Sequence, residues 1–143
     1  MHGPSAHLTW NELACWDRGR MPWRLLSAYP QNWRASRAVV LAHAFEAIRT
    51  ACNNRPLIVL SAYRTAEYNV RIGGAKNSQH VQGRALDLAP PNGLTVDQFA
   101  QVVLSVAHHD GSKIKGIGIY DTFVHVDVRP AARLARWDER SLT

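Results

Sequence analysis

His80, Asp87, His125 and Asp127 are the residues whose types and spacing can do chemistry. His80 and Asp87 bound the stretch HVQGRALD, with Gly83 and the small Ala85 between them. A turn at glycine and then a strand separate this imidazole from this carboxylate. His125 and Asp127 belong to the stretch FVHVDVR. Side chains alternate along a strand, so Phe123, His125 and Asp127 share one face and Val124, Val126 and Val128 the other. The valine face suits a core, and the polar groups opposite need partners. One reading is a His125–Asp127 hydrogen bond lining a cleft. The other joins His80, Asp87 and His125 into a set of two imidazoles and one carboxylate. Catalytic zinc takes three such protein ligands and keeps a fourth position open. The set is divided over 45 positions, from His80 to His125, so spacing alone leaves both readings standing.

The elements that must position these groups are legible in outline. Thr9-Trp10-Asn11-Glu12 has the form of a capping box opening a short helix. Residues 17–33, rich in Arg, Trp and Pro, read as an irregular segment pinned by aromatic rings. Ser36 to Ala51 is the clearest helix, with Val40, Leu41, Ala44, Phe45 and Ile48 at helical spacing and Asn53-Asn54 as its stop. Pro56 to Leu60 reads as a buried strand, Thr65 to Ile72 as a short helix halted by Gly73-Gly74, and Arg84 to Leu88 as a strand. Thr95 caps a further helix running through Phe99, Val102, Val103 and Val106 to His109, broken at Gly111. Lys115 to Tyr120 and Phe123 to Arg129 are expected as two strands around a tight turn, and a short helix is expected after Pro130. This mixture predicts an α+β fold with a small antiparallel sheet flanked by helices.

A chain of 143 residues fits one domain, 1–143, with residues 1–6 expected to be flexible and 130–143 a tail or short helix. The sequence has no apolar run long enough for a membrane span and no positive segment leading into an apolar one, so neither membrane insertion nor a secretory signal is expected. The formal charge of +6 suits an anionic partner: nucleic acid, a membrane surface or a wall polymer. No nucleic-acid recognition motif accompanies it, so no nucleic-acid partner is expected. Cys15 and Cys52 form no metal-binding spacing and read as reduced, partly buried thiols. His108-His109 fall at a helix end, where the dipole favours imidazoles. His43 reads as surface or satisfied core, and GIGIY lacks the following helix that a phosphate loop requires. Trp10, Trp16, Trp23 and Trp33 read as packing residues, with a glycan-facing groove as the alternative.

Four blocks in order resemble the zinc D-Ala-D-Ala carboxypeptidase and L-alanyl-D-glutamate endopeptidase family of peptidoglycan peptidases, phage endolysins included: HLTWNELAC, SAYRTAEYNVRIGGAKNSQH, HVQGRALDL and GIGIYDTFVHVDVRP. The resemblance implies a Hedgehog/DD-peptidase-like domain that holds Zn²⁺ on His80, Asp87 and His125, in the family pattern S-x-H-x6-D followed by a later strand histidine. It places Ser78 beside the metal, as a substrate-binding candidate with Arg64, either bonded near the metal or capping the turn. It places Arg64 at the substrate end of the cleft, where a planar guanidinium suits a peptide carboxylate or an oxyanion. Relatives carry an acidic residue just before the last histidine, yet position 122 is Thr122. The general base is therefore expected to be Asp127, with Asp121 as the rival. Asp127 has a second possible role in orienting a histidine ligand.

The resulting expectation is a monomeric zinc metallopeptidase cutting peptidoglycan stem peptides. It would be an endolysin released from the host cytoplasm through a holin, or a virion-associated enzyme. The alternative is a non-catalytic, zinc-stabilised cell-wall-binding module of the same fold.

Overall fold

The structure is a computed structural model that describes residues 3–14 and 27–141. Its elements are helix α1 (Trp10–Leu13), a 3-10 turn (Gln31–Trp33), helix α2 (Arg37–Ala51), strand β1 (Ile58–Ser61), helix α3 (Ala66–Arg71), strand β2 (Ala85–Ala89), helix α4 (Val96–Ala107) and strands β3 (Gly116–Ile119), β4 (Val124–Asp127) and β5 (Ala135–Asp138).

The helices begin where their caps stand. Thr9 and Glu12 close a capping box on α1, and Thr95 and Gln98 close another on α4. Thr65 accepts from the Tyr68 amide at the start of α3. Past α2, Asn53 and Asn54 both take positive φ, which asparagine tolerates and which turns the chain out of the helix. Leu41, Phe45 and Ile48 of α2, with Phe99, Val103 and Val106 of α4, bury one stripe of each helix. These stripes share one core with Leu86 and Leu88 of β2, Ile117 and Ile119 of β3, and Val124 and Val126 of β4. The opposite face of the same strands presents Asp87, His125 and Asp127, so alternation divides each strand between core and site.

The sheet has five strands in the order β1-β2-β4-β3-β5. The β1–β2, β2–β4 and β3–β4 pairs are antiparallel, whereas β5 lies parallel to β3. The sheet is thus mixed and not wholly antiparallel as expected. Both edges of β4 are already paired, and the chain that reverses after Arg129 joins the sheet at the free edge of β3. Having reversed relative to β4, it runs with β3. The short helix expected after Pro130 is instead this strand. Ala135 and Trp137 turn inward in it, while Arg136 and Asp138 turn outward.

Of the aromatic segment, residues up to 26 lie outside the described residues, and with them Cys15, Trp16 and Trp23. Tyr29 and Trp33 make edge-to-face contacts with each other and with Tyr63, at centroid distances of 5.3 to 5.9 Å. Trp10 and Trp33 are packed partly against the core, each with an arginine, Arg34 or Arg37, over its ring. Cys52 is a buried thiol. Near the N-terminus, Ser5 and His7 are tied to Glu46 on α2. No helix among the described residues is long and apolar enough to cross a membrane.

Candidate metal centre

His80 sits in the turn leading to β2, Asp87 lies on β2 and His125 on β4. The sheet register sets Asp87 directly opposite His125. Gly83, at φ +68°, turns the chain between His80 and β2, and the Trp33 ring packs so closely on it that a Cβ would lie 2.7 Å from the ring. Ligand atoms of His80, Asp87 and His125 fall within 4.8 Å of one another, and all three residues are buried.

The hydrogen bonds decide which atoms face inward. His80 Nδ1 donates to the Ala62 carbonyl at 2.7 Å, because a carbonyl oxygen can only accept. Its Nε2 lies 3.1 Å from Asp87 Oδ1. Burial depresses the His80 pKa and outweighs the pull of Asp87, which favours the neutral ring with its proton on Nδ1. Nε2 therefore turns a lone pair toward a carboxylate oxygen, acceptor against acceptor. A cation between them removes the conflict. His125 Nδ1 approaches the same Asp87 oxygen at 3.0 Å, while its Nε2 donates to Asp127 Oδ2 at 2.8 Å. Burial opposes protonation of His125, but the bonds to Asp127 and Asp87 outweigh it and raise its pKa. For Asp87, burial raises the pKa, yet the two imidazoles more than reverse this and keep the carboxylate ionised. Two nitrogens and one carboxylate oxygen, with the outer nitrogens held by hydrogen bonds, fit the donor set of a zinc site that keeps a position open.

Asp127 is fully buried. Arg129 grips it through Nε to Oδ1 at 2.8 Å, Nη2 to Oδ2 at 2.7 Å and its backbone amide at 3.2 Å. The carboxylate rests against Gly116, where any Cβ would collide with it. Asp127 thus meets His125 on the ring edge turned away from Asp87. Asp121 is elsewhere: its carboxylate is exposed and accepts from the Ser141 amide and hydroxyl at 2.9 and 2.8 Å. Ser78 is buried, and its Oγ accepts from the His80 amide at 3.1 Å, so it caps the ligand turn.

Residues 6–127 match the family model of Peptidase M15. The chain belongs to this peptidase family. An 81-residue stretch, 57% of the chain, is 31% identical to the zinc D-Ala-D-Ala carboxypeptidase of Streptomyces albus G. That stretch spans 30% of the relative's own length.

Beside the ligands, this M15 chain opens a cavity of about 310 Å³, lined among others by Arg64, Asn77, Tyr120, Phe123, Arg129 and Trp137. A second hollow of about 430 Å³ adjoins it and shares Arg64, Asp87 and Phe123. Arg64 stands between the two. Its Nη2 lies 3.7 Å from Asp87 Oδ2, its Nη1 donates to Asn69 Oδ1 at 3.4 Å, and its buried Nε has no hydrogen-bond partner among the described residues. A larger hollow of about 790 Å³ lies between α2 and residues 106–114, lined by His43 and His109 among mostly apolar neighbours. No second group of potential metal ligands is formed there among the described residues.

Sequence reasoning missed Tyr120, Trp137 and Arg129 as parts of the site. For Arg129 the signal was available, since alternation puts it on the face of His125 and Asp127. Trp137 could not be placed without knowing that β5 is a strand.

Proposed function

We propose that this chain is a zinc-dependent peptidase that hydrolyses peptide bonds in the stem peptides of peptidoglycan. The observation that carries the reading is the convergence of His80 Nε2, His125 Nδ1 and the Asp87 carboxylate at the wall of an open cavity, with His80 Nδ1 held by the Ala62 carbonyl. Bound there, zinc would supply Lewis acidity that polarises a substrate carbonyl and eases deprotonation of water. His80 and His125 are held for this task by Ala62 and Asp127. Arg64 offers its guanidinium to a carboxylate or carbonyl oxygen of the peptide, from a position touching both hollows. Asp127 acts through His125, fixing which nitrogen faces the metal, because both of its oxygens are engaged on the far edge of that ring. The charge of +6 favours approach to anionic wall polymer and makes it salt-dependent. Release through a holin from a phage-infected host, or carriage in a virion, is the setting proposed, and it rests on the sequence resemblance alone.

One observation favours a second reading, a zinc-stabilised wall-binding module without turnover. Among the described residues, Asp87 is the one carboxylate lining the cavity. Digestion of purified peptidoglycan with and without chelator, read by mass spectrometry, separates the two. The peptidase reading expects zinc-dependent release of new amino termini or free D-alanine, which also assigns the bond. Zinc-loaded protein that binds sacculi and releases no amine would establish the module instead.

A further inference from the structure

We propose that Tyr120 is a catalytic residue whose hydroxyl, aimed by Trp137, donates a hydrogen bond to the oxygen of the substrate carbonyl as that bond is attacked. The inference rests on the peptidase reading above and assigns it a donor outside the metal ligands and Arg64.

The argument begins with a proton count. An indole N–H can only donate. Trp137 Nε1 donates to Tyr120 Oη at 3.0 Å, so the phenol is the acceptor in that bond and keeps its own proton. No acceptor for that proton is found among the described residues. The phenol is also held in place. Its ring stacks on Phe123 at 4.5 Å with the planes 8° apart. Trp137 is fixed in turn, since its ring lies 5.3 Å from that of His125 and packs onto Gly118, where a Cβ would collide with the indole nitrogen. Gly118 is the cross-strand partner of His125, so the glycine makes room for the indole beside the ligand. Tyr120, Phe123 and Trp137 line the same cavity as His80, Asp87 and His125. An O–H with its proton uncommitted, fixed before substrate arrives and lining the cavity that the candidate ligands line, meets the requirement for stabilising charge that develops on a carbonyl oxygen. Tyr120 gives up no proton and forms no covalent bond in this role. It donates a hydrogen bond that strengthens as the oxygen becomes negative.

The rival role is structural, with the phenol present only to satisfy the indole. Tyr120→Phe, Trp137→Phe and the double variant separate the two. The proposal expects Tyr120→Phe to lose kcat by roughly 100-fold, with KM and zinc content near wild type. Affinity for a phosphinate dipeptide, a tetrahedral mimic, should fall by a similar factor, while affinity for the planar product peptide is unchanged. Trp137→Phe should show part of the kcat loss, and the double variant should be no worse than Tyr120→Phe. In metal-free protein, the Trp137 indole N–H resonance should shift on Tyr120→Phe, reporting the hydrogen bond apart from turnover. Unchanged kcat and phosphinate affinity in a folded, zinc-replete Tyr120→Phe variant would overturn the proposal while leaving the peptidase reading intact. Wild-type protein that releases no amine from peptidoglycan would overturn both.

Discussion

His125 presents its two ring nitrogens to two different carboxylates. Nδ1 lies 3.0 Å from Asp87 Oδ1, and Nε2 donates to Asp127 Oδ2 at 2.8 Å. The two nitrogens occupy different edges of one ring, so Asp127 cannot also stand on the side where the donors converge. The two carboxylates are therefore placed differently, Asp87 among the candidate ligands and Asp127 behind the ring.

Asp127→Asn should accordingly weaken metal binding more than it damages the bound enzyme. The amide keeps the shape but loses the charge that Arg129 and His125 share. Zinc affinity, measured by competition with a chromogenic chelator, should fall about 10- to 100-fold. Turnover should recover substantially in excess zinc. A kcat that stays collapsed at saturating zinc would return Asp127 to the role of general base.

Asp121→Ala tests the rival carboxylate. Its partner is Ser141 and it is exposed, so kcat/KM should match wild type, with a small change in thermal midpoint from the lost tie. A large fall in kcat with normal zinc content would show that Asp121 swings inward during the reaction.

Gly116→Ala should be harmful although it adds only a methyl group. The new Cβ would run into the Asp127 carboxylate, which Arg129 and the sheet prevent from moving aside. Overpacking of this kind costs about 1–3 kcal/mol. Urea denaturation would measure that loss, and a parallel fall in zinc affinity would show that it is passed on through His125.

Acid should loosen the metal-free protein through Asp127. Burial pushes this carboxyl up, but the hydrogen bonds from Arg129 and then His125 more than reverse that, leaving its pKa below the ordinary 3.8. A group depressed on folding contributes stability that is present above its unfolded pKa and lost as pH falls through the folded one. Denaturation midpoints taken in chelator should therefore drop below about pH 4, and Asp127→Asn should flatten that slope.

Zinc should stabilise the fold as well as activate it. A ligand at 100 times its Kd adds about 2.7 kcal/mol to a protein that binds it only when folded. Thermal unfolding with chelator, and again after zinc is restored, should show a reversible shift that is much reduced in His80→Ala.

How much of this was legible beforehand varied with the range of the interaction. The starts of α1, α3 and α4 and the stop of α2 could be read because caps and asparagine turns act over a few residues. His80, Asp87 and His125 were legible as types and as a family pattern. That Asp87 and His125 face each other across β2 and β4 is a matter of register, which no local signal states. The glycines of GIGI had no evident purpose in the sequence. In the fold they clear space for Asp127 and Trp137. The last strand was misread because Pro130 is an acceptable helix opener, and because the pairing that makes Ala135–Asp138 a strand is with β3, far back in the chain. The contacts of Asp121 with Ser141 were hidden for the same reason.

Lying last in the chain and at the sheet edge, β5 can peel from β3 without parting the other four strands. The three candidate ligands stand on the turn before β2, on β2 and on β4, whereas the indole beside them rides on β5. Detachment of that strand would open one wall of the chamber and leave the donor set whole.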